Sequence, residues 1–199
     1  MYNSFFKRAY FLCIRVKGLV FYFIFPNIFR LSKIQVRKLP KCEQKTKITG
    51  QGKVVIGENC SFGYKLGGFH RKGSVELQAR YKNSIIQLGN KIATNNNIFI
   101  CAANLISIGD RTLIGQNVTL MDFEAHGINP DERWKVGEIG KIIIEENVWI
   151  GNNVIILKNS KIGKNSIVAA GAIVNGEFPD DVIIGGVPAR IIKKIGSVI

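Results

Sequence analysis

Residues 144–174 read IEENVWIGNNVIILKNSKIGKNSIVAAGAIV and repeat with a period of six. An aliphatic residue stands at every sixth position: Ile144, Ile150, Ile156, Ile162, Val168 and Val174. A helix would space its apolar residues by about 3.6 and a plain strand by about 2. A period of six instead predicts a short strand and a tight turn that together form one face of a triangular prism. Three faces give a coil of about 18 residues, and stacked coils share one core between parallel strands.

The repeat extends towards the N-terminus, and its corners carry residues that suit tight turns. The same register recurs at Ile56, Ile108, Ile114 and Leu120. Glycine and asparagine follow several aliphatic positions, as in Gly151-Asn152-Asn153, and accept turn geometry that larger residues resist. We therefore predict an all-β fold, a parallel β-helix with three hexapeptides per coil over residues 48–199, which ends in a short C-terminal extension.

Two motifs in this domain carry a resemblance to a known family. They are Val148-Trp149-Ile150-Gly151, followed by Ala169-Ala170-Gly171-Ala172-Ile173-Val174, and the ending Gly185-Gly186-Val187-Pro188-Ala189-Arg190. With them the chain resembles the hexapeptide-repeat acyltransferases, in the branch of the polysaccharide O-acetyltransferases and the maltose and galactoside acetyltransferases. The resemblance covers about residues 48–195. It implies a left-handed helix, an exception to the right-handed crossover rule, and a homotrimer with active sites between subunits.

The period breaks after Leu120, and the inserted loop, residues 121–143, carries one of the two histidines of the chain, His126. A regular solenoid that inserts a long loop usually does so for function. Acyl transfer from a thioester to a hydroxyl needs a base, and imidazole suits this task because it titrates near neutrality. The other histidine, His70, lies in a second break of the period, where we expect a surface loop residue.

The resemblance implies that such a loop projects the catalytic histidine. Its acidic-x-acidic-x-His pattern, followed by proline and arginine, matches at Asp122, Glu124, His126, Pro130 and Arg133. We therefore predict that His126 is the general base. Three groups remain open as the partner that orients the imidazole: Asp122, Glu124 or a backbone carbonyl.

The same resemblance assigns binding residues. It implies that Asn95 and Arg133 contact the acceptor. It implies a coenzyme A groove formed by Trp149, Asn152, Ala170, Gly171 and Arg190, in which small residues let the ligand approach the backbone. Lys193, near Arg190, is suited to the coenzyme phosphates, and the alternative is that it belongs to a solvated basic tail. In one departure from the family pattern, Asn175-Gly176 replaces a Thr-Lys pair, so we expect Arg190 or nearby lysines to supply that contact.

The predicted chemistry is direct transfer from acetyl-CoA, because no cysteine or serine is placed as a nucleophile. We expect no metal requirement, since the carbonic anhydrases of this fold use three histidines and this chain has 2. The predicted function is O-acetylation of a sugar or of a cell-surface polysaccharide precursor. Two alternatives remain open: an amino sugar, amino-acid hydroxyl or antibiotic as acceptor, and a non-catalytic β-helix scaffold.

The N-terminal arm, residues 1–47, holds eleven Lys and Arg side chains against one acid, Glu43, and so carries most of the net charge of +14. Its longest charge-free stretch, residues 18–29, is shorter than the roughly 20 residues that span a bilayer. We expect a helical, basic and apolar arm that contacts either the membrane surface or another subunit. Nucleic acid is disfavoured because phenylalanine and leucine separate the charges.

The four cysteines, Cys13, Cys42, Cys60 and Cys101, lie far apart in the sequence. This spacing fits neither a disulfide framework nor a zinc site, which favours a reducing compartment. We expect a cytoplasmic protein, located at the inner face of the cell membrane if the arm binds lipid.

Overall fold

A computed structural model describes residues 12–13 and 15–196. Three sheets form the sides of a prism, and the chain visits them in turn, A, B, C and then A again one layer further on. Sheet A consists of β1 (Ile34–Val36), β4 (Lys53–Ile56), β7 (Ile85–Leu88), β10 (Leu105–Ile108), β13 (Lys141–Ile144), β16 (Ser160–Ile162) and β19 (Glu177–Phe178). Sheet B consists of β2 (Lys41–Cys42), β5 (Ser61–Phe62), β8 (Ala93–Thr94), β11 (Leu113–Ile114), β14 (Trp149–Ile150), β17 (Ile167–Val168), β20 (Val182–Gly186) and β21 (Ala189–Lys194). Sheet C consists of β3 (Thr46–Gly50), β6 (Val75–Ala79), β9 (Ile98–Ala102), β12 (Thr119–Met121), β15 (Ile155–Leu157) and β18 (Ile173–Val174).

The aliphatic residues of the six-residue repeat point into the prism. Ile144, Ile150, Ile156, Ile162, Val168 and Val174 are all fully buried in one continuous core. Parallel pairing stacks equivalent positions, so that Ile144 lies between Ile108 and Ile162 in sheet A. The period therefore predicted the core correctly, because each strand contributes one aliphatic residue to the axis.

The corners are built from residues in the left-handed backbone region, as the asparagines predicted. Asn97, Asn117 and Asn153 have φ of 59°, 57° and 57° and lie above one another at the corner between sheets B and C. The side-chain amide of Asn97 donates to Asn117 at 2.9 Å, and that of Asn117 donates to Asn153 at 2.8 Å. Asparagine tolerates this conformation, and the ladder of amides joins successive coils.

The prism begins before residue 48, the predicted start of the β-helix. Strands β1, β2 and β3 pair in parallel with β4, β5 and β6 and form a complete first coil. The six-residue register is weak in this coil, since short strands such as Lys41–Cys42 bury a single side chain. Part of the predicted arm therefore belongs to the β-helix.

The rest of the described arm closes the end of the prism. Residues 15–19 are helical and continue into a π-helix (Val20–Ile24), an α-helical turn (Phe25–Asn27) and a 3₁₀ helix (Ile28–Lys33). We call residues 15–33 the cap segment. Its Phe23 is buried in the core, and Leu19 and Ile24 pack against it. Within the described residues, no helix is long and apolar enough to span a membrane.

Asn27 joins the cap segment to the first strand of sheet C. This buried side chain donates to the carbonyl oxygens of Phe23 at 2.6 Å and Thr46 at 2.8 Å, and accepts from the N–H of Ile48 at 2.6 Å. Its amide takes the place of a further strand along β3, so the edge is covered rather than open to pairing. At the other end, β21 turns back antiparallel to β20 and forms the predicted C-terminal extension.

Candidate active site

The inserted loop is an antiparallel hairpin, which we call the catalytic hairpin, residues 122–140. Phe123 and Ile139 form a β-bridge. Backbone hydrogen bonds join its two arms, from Gly140 to Asp122 at 2.7 Å, Glu124 to Glu138 at 2.9 Å, Gly137 to Glu124 at 3.0 Å and Gly127 to Lys135 at 2.9 Å. It leaves the prism between β12 and β13, at the corner between sheets C and A.

The base of the hairpin is anchored to the neighbouring coil. The buried carboxylate of Asp122 accepts hydrogen bonds from the N–H groups of Ala103 at 2.6 Å and Asn104 at 3.0 Å. Burial raises the pKa of this carboxyl group, and the two backbone donors oppose the rise. Phe123 is buried beside Cys101 and Ala103, with the guanidinium of Arg80 5.1 Å from its ring centroid.

His126 lies exposed near the tip of the hairpin, with one ring nitrogen held in place. Its Nδ1 is 2.6 Å from the carbonyl oxygen of Arg133. Because a carbonyl oxygen only accepts, the neutral ring carries its proton on Nδ1 and its lone pair on Nε2. This hydrogen bond therefore fixes the ring and leaves Nε2 as the nitrogen that can accept a proton.

The structure gives the two acidic neighbours of His126 other partners. Asp122 binds the turn at residues 103–104, as above, and Glu124 lies with one carboxylate oxygen 3.4 Å from Nζ of Lys158. The predicted catalytic role of Asp122 and Glu124 is corrected accordingly: they build the hairpin, and the backbone carbonyl of Arg133 orients the ring. Spacing could not make this choice, because it depends on how the two hairpin arms pair.

The predicted coenzyme residues lie together elsewhere, along the corner between sheets B and C. Asn152 lies in one turn of this corner and Ala170 and Gly171 lie in the next, and the half-exposed Trp149 precedes the turn of Asn152 on β14. The predicted acceptor residue Asn95 lies at the same corner, with the turn at residues 115–117 between it and Asn152. The Asn152 carboxamide oxygen accepts from the N–H of Gln116 at 2.9 Å. A Cβ placed on Gly171 would meet nothing within 4 Å, so the corner is open to a ligand there.

Cations stand at the far end of the same side of the prism. Trp149 pairs with Ile167, Ile167 with Ile183, and Ile183 with Lys193. These four residues therefore form a column that crosses neighbouring strands of sheet B. Three strand spacings separate Trp149 from Lys193, or about 14 Å. Arg190 is exposed on the same strand as Lys193. An elongated ligand with phosphates at one end fits this column.

Similar proteins bear on the identity of the chain. The profile of the family described as "Bacterial transferase hexapeptide (six repeats)" matches residues 141–176. Galactoside O-acetyltransferase of Lactococcus lactis is 31% identical over 168 residues, which are 84% of this chain and 75% of that protein. The chain belongs to the hexapeptide-repeat acyltransferases. Another member, the putative lipopolysaccharide biosynthesis O-acetyl transferase WbbJ of Escherichia coli, is 31% identical over 159 residues, 74% of each protein.

Two solved structures share the fold of this chain. The N-acyltransferase AntD of Bacillus cereus superposes with a TM-score of 0.64 at 20% identity and covers 81% of this chain and 82% of its own. A galactoside acetyltransferase in complex with coenzyme A superposes with a TM-score of 0.53 at 23% identity, over 92% and 81% of the two chains. The predicted family, left-handed β-helix and acyltransferase class are confirmed, and the predicted donor, acetyl-CoA, agrees with these findings.

In the single chain of this hexapeptide-repeat acyltransferase, the catalytic hairpin and the predicted groove residues lie at different corners of the prism. The catalytic hairpin leaves the corner between sheets C and A, whereas Asn95, Asn152 and Gly171 lie at the corner between sheets B and C. Among residues 12–13 and 15–196, no hydrogen bond or ion pair joins the hairpin to that second corner. His126 and the groove are therefore not brought together within a single chain.

Sequence reasoning missed the residues that brace the hairpin from the next coil. Lys158 pairs with both Glu124 and Glu138, and Asn159 donates to Glu138 at 2.9 Å. The hydrogen bond to Glu138 raises the pKa of Lys158. The six-residue repeat could have identified them, because it places a turn at residues 158–159, directly after β15. This turn lies at the corner from which the hairpin departs.

The buried cysteines show no sign of nucleophilic activation. Cys42, Cys60 and Cys101 are buried, and burial raises the pKa of each thiol, that of Cys42 to about 12. A thiol with a raised pKa is rarely a thiolate at neutral pH. A covalent intermediate on any of these three thiols is therefore disfavoured, and direct transfer stays a prediction.

Proposed function

We propose that this protein is an acetyl-CoA-dependent O-acetyltransferase that acts on a hydroxyl group of a sugar or a cell-surface polysaccharide precursor, with His126 as general base. The observation that carries the proposal is the hydrogen bond of His126 Nδ1 to the carbonyl of Arg133, which leaves Nε2 as acceptor at the exposed tip of the hairpin. The names of the two relatives, a galactoside and a lipopolysaccharide O-acetyltransferase, favour a hydroxyl on a glycan.

His126 performs the proton transfers of this reaction. Its Nε2 takes the proton of the acceptor hydroxyl while the hydroxyl oxygen bonds to the thioester carbonyl carbon. The carbonyl dipole of Arg133 stabilises the imidazolium that forms. His126 then returns the proton to the sulfur as the carbon–sulfur bond breaks, so the products are an ester and a free thiol. The Arg133 side chain, which is exposed beside the histidine, is suited to contact the acceptor.

The groove residues hold acetyl-CoA, which supplies the acetyl group already activated as a thioester. Trp149 covers the apolar pantetheine arm, and Asn152, Ala170 and Gly171 let it run close to the backbone. Arg190 and Lys193 bind the phosphates at the end of the column. Asn95, at the same corner nearer to the cap, binds the acceptor.

The separation of hairpin and groove supports a homotrimer. In a closed three-fold ring, the hairpin of each protomer reaches the corner between sheets B and C of its neighbour, and three identical sites result. The apolar side chains of Leu113 and Trp149, neighbours on the outer surface of sheet B, are half exposed in the single chain. A partner and the coenzyme cover them in the assembly.

The test is an acceptor panel with purified full-length protein and acetyl-CoA. Galactosides, maltose, an amino sugar, serine and an aminoglycoside are compared by thiol release and by the mass of the product. We expect one acetyl group on a sugar hydroxyl, and loss of transfer in His126→Ala. Wild-type rates in His126→Ala would show that the base is another group. A protein that binds no coenzyme A and acetylates nothing in the panel would support the scaffold alternative.

A further inference from the structure

The cap segment has apolar residues on both of its sides, and only one side packs against the prism. Leu19, Phe23 and Ile24 contact the core, and Gly18 lies so close to the first coil that a Cβ there would be 2.3 Å from the carbonyl oxygen of Cys42. With Asn27 bonded to β3, these contacts fix the segment in one orientation. The opposite side is thereby held outward.

The outward side of the cap segment, its outer face, is apolar and exposed. Phe29 is 95% exposed and Phe25 is 72% exposed, and the remaining members of the face are Val16, Val20, Phe21, Tyr22 and Ile28. Contiguous apolar surface of this kind marks a contact with a protein or a membrane.

Two cationic hollows are each lined in part by a residue of the cap segment, Arg15 in one and Tyr22 in the other. One, of about 520 Å³, is lined by Arg15, Lys38, Lys41 and Lys65 together with Glu43. The other, of about 480 Å³, is lined by Tyr22 and by Lys45, Lys47, Arg71 and Lys72. Among the ion pairs of the described residues, a single one, Lys41 with Glu43, neutralises any of these eight cations. Uncompensated positive charge therefore lies beside the cap segment that carries the aromatic face.

We propose that the cap is a docking surface for an anionic lipid bilayer. The outer face enters the boundary between headgroups and acyl chains, and the eight cations meet lipid phosphates. The protein lies on the bilayer, in keeping with the shortness of its helical turns.

A second copy of the chain fits this surface poorly. A symmetric contact of cap against cap would place both sets of cations together, and like charges repel. The remainder of the chain offers no excess of acid to receive them, since residues 48–199 contain 17 basic and 13 acidic side chains. Charge complementarity therefore selects a partner that is both anionic and apolar beneath its surface.

The position of the cap has a consequence that rests on the proposed function. Strands β3 and β12 are three steps apart in sheet C, so the catalytic hairpin leaves the prism about 14 Å from the cap edge. An acceptor sugar carried on a membrane lipid would lie within the reach of that hairpin.

The test is flotation of the full-length protein with vesicles of phosphatidylcholine alone or mixed with phosphatidylglycerol. We expect binding to the mixed vesicles, weakened by salt. The double variant Phe25→Ser/Phe29→Ser should bind at least about tenfold more weakly, because two aromatic side chains no longer enter the lipid. Its control is Val187→Ser, an exposed apolar residue at the other end of the prism. Arg71→Gln/Lys72→Gln should also weaken binding, whereas Lys82→Gln/Lys91→Gln, exposed on the sides, should not.

Three outcomes would overturn the proposal. They are no binding of the folded wild type to mixed vesicles, equal binding to neutral vesicles, and a loss of oligomeric mass in Phe25→Ser/Phe29→Ser without a loss of vesicle binding. The last would mean that another copy covers the face. Acetyl transfer to a soluble acceptor, measured in parallel, separates this result from a failure of the proposed function.

Discussion

The two loops that interrupt the prism each carry one histidine, yet they are held in different ways. The first, residues 64–73, is tied along its length: buried Gln44 donates to the carbonyl oxygen of Phe69 at 2.9 Å, and buried Asn96 binds Tyr64 and Gly68. His70 itself is half buried, with Nε2 2.6 Å from the carbonyl oxygen of Glu43. This loop therefore packs against the prism of its own chain along its length.

The catalytic hairpin is tied at its base and stands free at its tip. Asp122 and Phe123 hold the base, and the described contacts of the tip, such as His126 with Arg133 and Gly127 with Lys135, stay within the hairpin. A loop that has to reach another chain needs this arrangement, whereas a loop that only covers its own coil does not. The two histidines therefore differ in how their loops are braced, a difference that the sequence around them does not reveal.

The largest expected difference between the loops is in catalysis. His126→Ala should lower the rate of acetyl transfer by about 10²–10⁴-fold, the usual contribution of a general base. The matched variant His70→Ala should leave the rate within about threefold, because that ring contacts the backbone of the first coil at Glu43. Initial rates at saturating acetyl-CoA, with circular dichroism as a check of folding, measure both. Equal losses would erase the distinction between the loops.

The next prediction compares two buried side chains: Asp122, which supports the base of the catalytic hairpin, and Gln44, which supports the first loop. Asp122→Asn replaces one of two buried acceptors of backbone N–H groups by a donor, which should lower the free energy of unfolding by about 1–3 kcal/mol. Transfer should fall about tenfold with an unchanged pH profile, since a shift of the hairpin base misplaces the histidine.

The control for Asp122→Asn is Gln44→Leu. It should cost a similar free energy of unfolding, because the carbonyl of Phe69 and the N–H of Asn97 lose their partner. Its rate of transfer should stay within about twofold of the wild type. Urea unfolding and steady-state kinetics on both variants make the comparison. A strongly impaired Gln44→Leu would mean that the first loop also shapes the site.

A smaller effect concerns the dependence of stability on pH. Burial raises the pKa of Asp122 above its ordinary 3.8, so the folded state retains this proton at higher pH than the unfolded chain does. The contribution of Asp122 to the free energy of unfolding therefore falls as pH rises from that value through the folded-state pKa. The stability of the wild type minus that of Asp122→Asn should be greatest in acid and decline towards neutrality. A difference that grows with pH would show that the two backbone donors outweigh burial.

The fold was predictable from the sequence because the period is local. Each six-residue unit contains the aliphatic residue that it buries in the core, such as Ile150 or Ile156. The first coil was not, since its short strands bury few aliphatic residues and depend on Asn27 from the cap for their edge. His126 was identifiable as the loop histidine of the family pattern. Its partner was not, because the carbonyl of Arg133 reaches the ring through the pairing of the hairpin arms.

The smallest expected effect lies on the surface of the hairpin base, in the pairing of Lys158 with Glu138. The hydrogen bond from Lys158 lowers the pKa of Glu138, so the pair stabilises the hairpin above the ordinary value of 4.5 and loses that effect as pH falls through the folded-state pKa. Glu138→Gln should change the transfer rate by less than about twofold, because exposed ion pairs contribute little and Glu124 remains beside Lys158. Glu145→Gln, which removes the pair of Lys161 away from the hairpin, is the control. Transfer rates of both variants at low and high salt make the comparison. A large rate loss in Glu138→Gln alone would mean that this ion pair, rather than Asp122, positions the tip of the hairpin.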